Sequence, residues 1–522
     1  MPPAKNGDYA YFLHIIASLK TTGKGAVILP HGVLFRGNAE SEIREKIIKK
    51  GYIKGIIGLP ANLFYGTGIP ACIVVIDKEN AHARTGIFMI DASKGFVKDG
   101  NKNRLRSQDL HKIVDAFTKQ VEIDKYSRMV PLAEIEKHGF NLNIPRYIDS
   151  SEPEDLQDIE AHLKGGIPVR DVDALADFWD VLPAVRATLF GPGDRPGYLT
   201  PLVDAAEVKG AILNHPEFAA FTTQVTEVFE AWSAAHIDRL RGIAIGDKPK
   251  DLIATISEDL LNRFKPVPLI DGYDVYQHLM TYWAEVMQDD TYILVQDGWA
   301  AGRVIRELVK NADGKFSETP DITLGRRKLK AELIPPALIV ARFFAAGQAA
   351  LEVLEAKAEE AARAVEELDE EHGGEDGLLF EAKTDKGKLT AKSVKDRMRD
   401  IRTDKDAGDE RAMLKTCLTL IEAAADADAA VKAAQAALDV AVVAQYAKLT
   451  EDQVKALLVQ GKWLAQVRAD VAAEVDRVSQ ALAGRVKVLA ERYATPLPKL
   501  AEDLGALSAK VAAHLKRMGF AA

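Results

Sequence analysis

Cysteine is nearly absent: the 522-residue chain holds only Cys72 and Cys417. Two thiols exclude both a disulfide framework and a multi-cysteine zinc site. No stretch approaches the ~18 uninterrupted apolar residues of a membrane span. The opening MPPAKNGDYA lacks the basic-then-apolar pattern of a secretory leader. The expectation is a cytoplasmic protein with no membrane partner and no metal. His14 lies on an apolar helical stretch and His31 follows a strand-like run, and neither has a second ligand at metal spacing. No Gly-x-Gly-x-x-Gly follows a strand-like segment. TTGKGA (21–26) lacks the upstream glycine and the following Ser/Thr of a phosphate loop, so it reads as a helix-to-strand turn.

What is present is an ordinary globular composition, 47% apolar and 28% charged, at a length that predicts two to four domains. Charge is unevenly divided. Residues 1–150 carry 22 Lys/Arg against 15 Asp/Glu, whereas the whole chain is at −9. A basic N-terminal third on an acidic body suits one anionic partner, nucleic acid being the usual candidate, although +7 is also compatible with plain solvated surface.

Three regions follow from the patterning. In 1–150 a helix over 8–20 precedes AVILP (26–30). Asn38 is placed to cap a helix over AESEIREKIIKKGY, and IKGIIGLP (53–60), ACIVVID (71–77) and GIFMID (86–91) read as further strands. Continuous apolar runs imply strands buried on both faces, hence one edge of a parallel α/β sheet. The chain enters directly into a helix that must lie on a sheet, with no earlier strands, so a partial sheet with an open inner edge is expected. Residues 151–330 read as a mainly helical middle region, with helices over 172–190 and 217–243 and a turn-rich GPGDRPGY (191–198). Residues 331–522 read as long coiled-coil-like helices for subunit docking. Leu351, Leu354, Ala358, Ala361, Val365 and Leu368 keep a 3,4 spacing; Val471 through Tyr493 keep a second face; Leu497, Leu500, Leu504, Leu507, Val511, Leu515 and Met518 make a third. The highly charged 385–412 reads as an exposed loop with a short helix. Spacing does not say whether these stripes meet each other or a partner.

Two short segments carry candidate chemistry. NLFYGTGIP (62–70) puts two aromatics before Gly66, Thr67 and Gly68 at the carboxyl end of a strand, where open α/β sheets place ligands. Two readings stay open: Phe64 plugs the core, or a presented aromatic stacks on an extruded base. GFVKDGNKNRLRSQDL places Lys98, Lys102, Arg104 and Arg106 in a basic loop suited to phosphate or simply to water. Cys72, inside a strand, reads as a small buried hydrophobe.

In order, DYAYFLHIIASLKTTGKGAVILPHGVLFRGNAESEIREKII, GYIKGIIGLPANLFYGTGIPACIVVIDK, FMIDASKGFVKDGNKNRL and NLNIPRYID resemble, over 8–149, the M subunit of type I restriction–modification systems, the HsdM family. The resemblance implies a partial methyltransferase, Rossmann-like sheet followed by a mainly helical region. It implies an S-adenosylmethionine-dependent enzyme that methylates the exocyclic amino group of adenine in DNA, working with a specificity subunit and a restriction subunit. It implies that the aromatic of NLFYGTGIP faces the flipped adenine, with Phe64 the first candidate and Tyr65 the second, and that the C-terminal helices dock on the specificity subunit. The family's Gly-rich cofactor loop and Asn/Asp-Pro-Pro-aromatic catalytic loop have no counterpart here. MPPA has Met1 where the polar residue should stand and Ala4 where the aromatic should stand. No catalytic and no cofactor-binding residue is therefore assigned, and the expectation is a C-terminal portion that is inactive by itself. The alternatives are half of an active split enzyme, completed by a separately encoded N-terminal fragment, or a non-enzymatic assembly remnant that binds the specificity subunit.

Overall fold

The apolar runs of the first 150 residues become strands because each alternate side chain finds its own core. In the computed structural model, which describes residues 2–3, 6–151, 155–404 and 406–520, the chain runs α1 (Asp8–Ser18), β1 (Lys24–Pro30), α2 (Ala39–Lys49), β2 (Ile53–Gly58), β3 (Ala71–Asp77) and β4 (Gly86–Asp91). It continues through β5 (Val97–Asp99), β6 (Lys102–Arg104), α3 (Ser107–Lys119), β7 (Ser127–Pro131) and α4 (Leu132–Lys137). Met1 and Ala4 of MPPA lie outside the described residues.

The sheet has the order β1-β3-β2-β4-β7. Only β2 and β4 pair in parallel; β1/β3, β2/β3 and β4/β7 are antiparallel. The expected parallel sheet is thus corrected to a mixed one. The connection 59–70 carries no helix to cross over the sheet, so β3 returns beside β2 in the opposite sense. β1, β2 and β4 still point the same way, and their carboxyl ends share one edge.

Ile56, Val74, Ile76, Ile87, Met89 and Val130 face a first cluster with Tyr9, Phe12 and Ile16 of α1 and Ile47 and Ile48 of α2. Their sequence neighbours Ile57, Phe88 and Ile90 face a second cluster with Ile113 and Ala116 of α3. This period of two explains the continuous apolar runs, each fully buried side chain contributing roughly 1.5–3 kcal/mol. Coverage is incomplete at one margin. β1 is an edge strand, Ala26 and Ile28 are exposed, and Ile73, opposite Ile28, is only half-buried. Asn38 precedes α2 as expected, but it sits at φ +55° and makes no side-chain cap bond. The turn into α2 is held instead by buried charge. Arg36 pairs with Asp8 at 2.9 Å and with Glu40 at 3.1 Å, while Arg44 donates to the carbonyls of Phe140, Val33 and Arg36.

The whole chain forms two compact units built from interleaved segments: Met1–Ala234 with Ile253–Ala284 and Val467–Ala522, and Ala235–Leu252 with Glu285–Gln466. In the first unit the single helix expected over 172–190 is instead three short ones, Val169–Asp173, Ala176–Val181 and Pro183–Leu189. Pro183 can open a helix but not continue one. GPGDRPGY joins the strands Phe190–Pro192 and Tyr198–Pro201. Helix Ala465–Arg492 buries Val471, Val475, Val478, Leu482, Val486 and Leu489. Helix Leu497–Arg517 buries none of its residues.

In the second unit helix Ala345–His372 lies against Gly408–Tyr446. The stripe from Leu351 to Leu368 lies on the less exposed side of the former. Buried Asp290 accepts from Lys462 Nζ at 2.7 Å and from Trp463 Nε1 at 2.8 Å. Burial raises its pKa against the attraction of Lys462. Among the described residues no single helix is long and apolar enough to cross a membrane.

A polar relay ties α3 to the helices Gly272–Tyr282 and Ala465–Arg492, all within the first unit. Gln108 Nε2 donates to Asp274 at 2.8 Å, Arg477 donates to Asp274 and Glu474, and His278 Nε2 lies 2.8 Å from Glu474 Oε1. The Glu474 hydrogen bond raises the pKa of His278 above its usual 6.5. Burial of Glu474 opposes its ionisation, but His278 and Arg477 together hold its pKa below the usual 4.5. The His278 contribution to stability is therefore complete below pH 6.5 and is lost as pH rises through its raised value. The Glu474 contribution is lost on the acid side, as pH falls through its lowered value. We expect the melting temperature of the His278→Gln chain to vary less between pH 6 and 9 than that of the parent. Parallel pH profiles of the two chains would contradict the assignment.

Candidate functional site at the carboxyl edge of the sheet

Three connections leave the shared edge, and each is held by side chains from elsewhere. After β1, the His31 N–H donates to the Pro70 carbonyl at 3.2 Å. The His31 Nε2 is buried and has no hydrogen-bond partner among the described residues. Burial pushes its pKa below 6.5, so the ring is neutral at pH 7. After β4, Asp91 accepts from the Ser93 N–H at 3.0 Å and from Ser150 Oγ at 2.6 Å.

After β2 comes the loop 59–70. It opens with Leu59 N–H donating to Ala71 O at 2.9 Å and closes on itself with Asn62 N–H donating to Gly68 O at 3.3 Å. Gly66 takes φ +79°, which a side chain would strain, and Thr67 Oγ1 accepts from the Ile69 N–H at 3.1 Å. The two aromatics at the tip part company. Phe64 is half-buried and packs on the second apolar cluster, while Tyr65 is 96% exposed.

The basic segment expected to be a loop is a hairpin, β5–β6, in which Lys98 pairs with Asn103 and Asp99 with Lys102. It buttresses the aromatic loop. Lys102 Nζ donates to the carbonyls of Phe64 at 2.8 Å and Thr67 at 3.2 Å. Asn103 Nδ2 donates to Ala61 O at 2.7 Å, and its N–H donates to Asn62 O at 2.9 Å. Arg106 forms a two-pronged pair with Asp109, at 2.9 and 3.0 Å. Lys98 and Arg104 remain on the surface, Arg104 within 3.2 Å of an equally exposed Asp99. The four basic candidates therefore divide into two that build the site and two that face water. Asn103 and His31 are site residues that the sequence pattern did not single out. An asparagine in a Gly/Asn-rich stretch looks like solvated turn, and nothing in the string marks it as buried.

A cleft of about 440 Å³ beside the end of β4 is lined by Asp91, Lys94, Arg106, Asp109, Lys112 and Tyr126. Its charges are largely matched internally, Arg106 by Asp109 at 2.9 Å and Lys112 by Asp271 at 3.8 Å. The glycines at the sheet edge are occupied by packing. A Cβ on Gly58 would come within 2.8 Å of Ile144 Cδ1, and one on Gly32 within 2.5 Å of Arg36 Nε. At these two positions packing leaves no room for a cofactor to approach the backbone, whereas Gly37 and Gly66 on the same connections face open space. No cluster of metal-ligating side chains occurs among the described residues.

Comparison with known proteins bears on this same segment. The family described as N-6 DNA Methylase matches residues 1–156. The type I restriction enzyme MjaVII methylase subunit of Methanocaldococcus jannaschii is 34% identical over 168 residues, covering 31% of this chain and 29% of that protein. The MpnII methylase subunit of Mycoplasma pneumoniae is 31% identical over 160 residues, with coverage of 31% and 29%. A crystal structure of a type I restriction-modification methyltransferase subunit from Streptococcus thermophilus is 42% identical, with a TM-score of 0.27, over 28% of this chain and 31% of that one. The chain thus spans about a third of the length of the relatives it matches. In its first 156 residues, which hold the mixed sheet and the buttressed aromatic loop, the chain resembles the methylase subunits of type I restriction enzymes.

Proposed function

We propose that residues 1–156 form the target-base half of an adenine-specific DNA methyltransferase domain of a type I restriction–modification system. The observation that carries this reading is the loop 59–70, a turn locked from below by Lys102 and Asn103 with an aromatic at its tip, within a segment that matches DNA N-6 methylases. An enzyme acting on an exocyclic amino group must take the base out of the stack and hold it against something flat. Tyr65 offers an unobstructed ring face for that purpose. Phe64 anchors the loop on the apolar cluster beneath, and this reverses the order of the two candidates. Gly66, Thr67 and Gly68 shape the turn. Lys98 and Arg104, on the adjoining hairpin, are the cations placed to meet DNA phosphates, whereas Lys102 and Arg106 are committed to internal partners.

S-adenosylmethionine would supply the methyl group. Its site is proposed to lie on a further methyltransferase segment that completes the sheet at β1, where Ala26 and Ile28 stand exposed, and no step of the transfer is assigned to residues of this chain. Such a segment would carry the Asn/Asp-Pro-Pro-aromatic loop. The long-helix region 331–522 is proposed to dock a specificity subunit, which selects the DNA site, and a restriction subunit would join that assembly in the cytoplasm. The chain by itself is proposed to be inactive. Isothermal titration with S-adenosylmethionine is expected to give no binding heat, and a micromolar dissociation constant would overturn that part of the reading.

Tyr65 is tested in the complex with a complementing N-terminal fragment and specificity subunit. Base–aromatic stacking is worth roughly 1–3 kcal/mol, so Tyr65→Ala should lower DNA methylation by about ten- to hundredfold and leave cofactor affinity unchanged. Full activity in Tyr65→Ala would remove the stacking role. Lys102→Ala should speed amide hydrogen exchange across residues 62–69 by roughly tenfold, the loss of one or two bonds worth ~1 kcal/mol each, while the melting temperature stays put. Unchanged exchange would mean that the hairpin does not hold the loop.

A further inference from the structure

The helix Leu497–Arg517 is 21 residues long, about 31 Å at 1.5 Å per residue. Leu497, Leu500, Leu504, Leu507, Val511, Leu515 and Met518 form one stripe along it and its last turn, and each is between 40% and 72% exposed. The preceding helix, Ala465–Arg492, has the same kind of stripe and buries it. An amphipathic helix whose apolar stripe stays in water for its whole length presents a surface that a partner covers.

The flanking charges say which partner fits. The amino-terminal half carries Lys499, Glu502 and Asp503, a net −1; the carboxyl-terminal half carries Lys510, Lys516 and Arg517, a net +3 with His514 neutral. A second copy lying parallel would set the +3 halves side by side, whereas an antiparallel copy sets each +3 half on a −1 half. The apolar spacing supports the same register. With Leu504 facing Leu507 of the other copy, Leu500 faces Val511, and Asp503 comes opposite Lys510 at both ends of a two-fold axis. Ala501, Ser508 and Ala512, on the other side of the stripe, are small enough for the two backbones to approach closely. Among the described residues of one chain Asp503 pairs with Lys499, at 3.1 Å and half-exposed, so it is available to exchange partners.

We propose that this helix is a self-association surface, pairing antiparallel with the same helix of a second copy of the chain. The inference goes beyond the methyltransferase reading, reserving this last helix for a second copy and leaving the rest of 331–522 to the specificity subunit, and it is scored by mass rather than by methylation, so either can fail without the other. Sedimentation of the full chain between about 1 and 100 µM, the range where modest interfaces show themselves, should reveal a monomer–dimer equilibrium. Leu504→Glu/Leu507→Glu should abolish the dimer and leave thermal unfolding unchanged, since neither side chain is buried. Asp503→Lys and Lys510→Asp should each weaken dimerisation by about tenfold, and the combined chain should recover to within about twofold of the parent, because only the antiparallel register restores opposite charges. A monomer throughout that range would overturn the proposal. So would a dimer indifferent to the double glutamate variant, charge reversals that the combined chain does not rescue, or a chain whose stripe binds an added specificity subunit but never a second copy.

Discussion

Burial of β2 and β4 on both faces is the constraint from which the first unit follows. Ile56 and Ile57, or Phe88 and Met89, are adjacent in the chain yet belong to different cores. Neither strand can slip by a residue without exchanging the two sets. A pinned register pins the strand ends, and with them the points from which His31, the loop 59–70 and Asp91 depart. The loop rests on the second apolar cluster through Leu59, Leu63 and Phe64, and its tip inherits a fixed origin. Lys102 and Asn103 then need only hold four carbonyls, those of Ala61, Asn62, Phe64 and Thr67, to present Tyr65 in one place.

The same constraint explains the margin at β1. A strand with a partner on each side and a helix on each face has no reason to show an aliphatic side chain to water. β1 has β3 on one side, α1 on one face, and exposed Ala26 and Ile28 on the other. An edge of this kind is a template for pairing with another strand. It is the physical basis for proposing that the methyltransferase sheet is completed there, rather than at β7, where β4 next to it is buried throughout.

How much of this was legible depends on which physical variable the sequence encodes. The runs IKGIIG, ACIVVID and GIFMID are apolar throughout except for Lys54 and the closing aspartates, and end at Gly or Asp, so their place as buried strands could be read directly. Strand direction could not, because a two-sided run looks the same in either sense; the antiparallel course of β3 follows from a loop without a crossover helix. β7 (SRMVP) and the β5–β6 hairpin were missed because they are short and polar, formed by pairing rather than by burial. Phe64 and Tyr65 illustrate the finest limit. They are neighbours of similar chemistry, and only the local turn, with Asn62 and Gly66 both at positive φ, decides which ring goes inward. The stripes of Ala465–Arg492 and Leu497–Arg517 show the coarsest one. Periodicity reports that a helix has an apolar side, never whether that side is already covered.

Net charge has the same character. The +7 of the first 150 residues suggested an anionic partner, but a formal sum does not say where the cations sit or which of them a ligand could touch. Arg44 is buried against carbonyls, Arg36 is shared between Asp8 and Glu40, Arg128 grips Glu134, Arg106 grips Asp109 and Lys102 supports the aromatic loop. Arg36, Arg106 and Arg128 are matched by carboxylates and largely neutral from a distance, whereas Arg44 and Lys102, held by carbonyls, keep their charge inside the fold. The side chains near the loop that a phosphate could touch directly are exposed ones such as Lys98 and Arg104, the latter shared with Asp99. Under the proposed reading, direct contact of this kind would suit a segment that handles one extruded base.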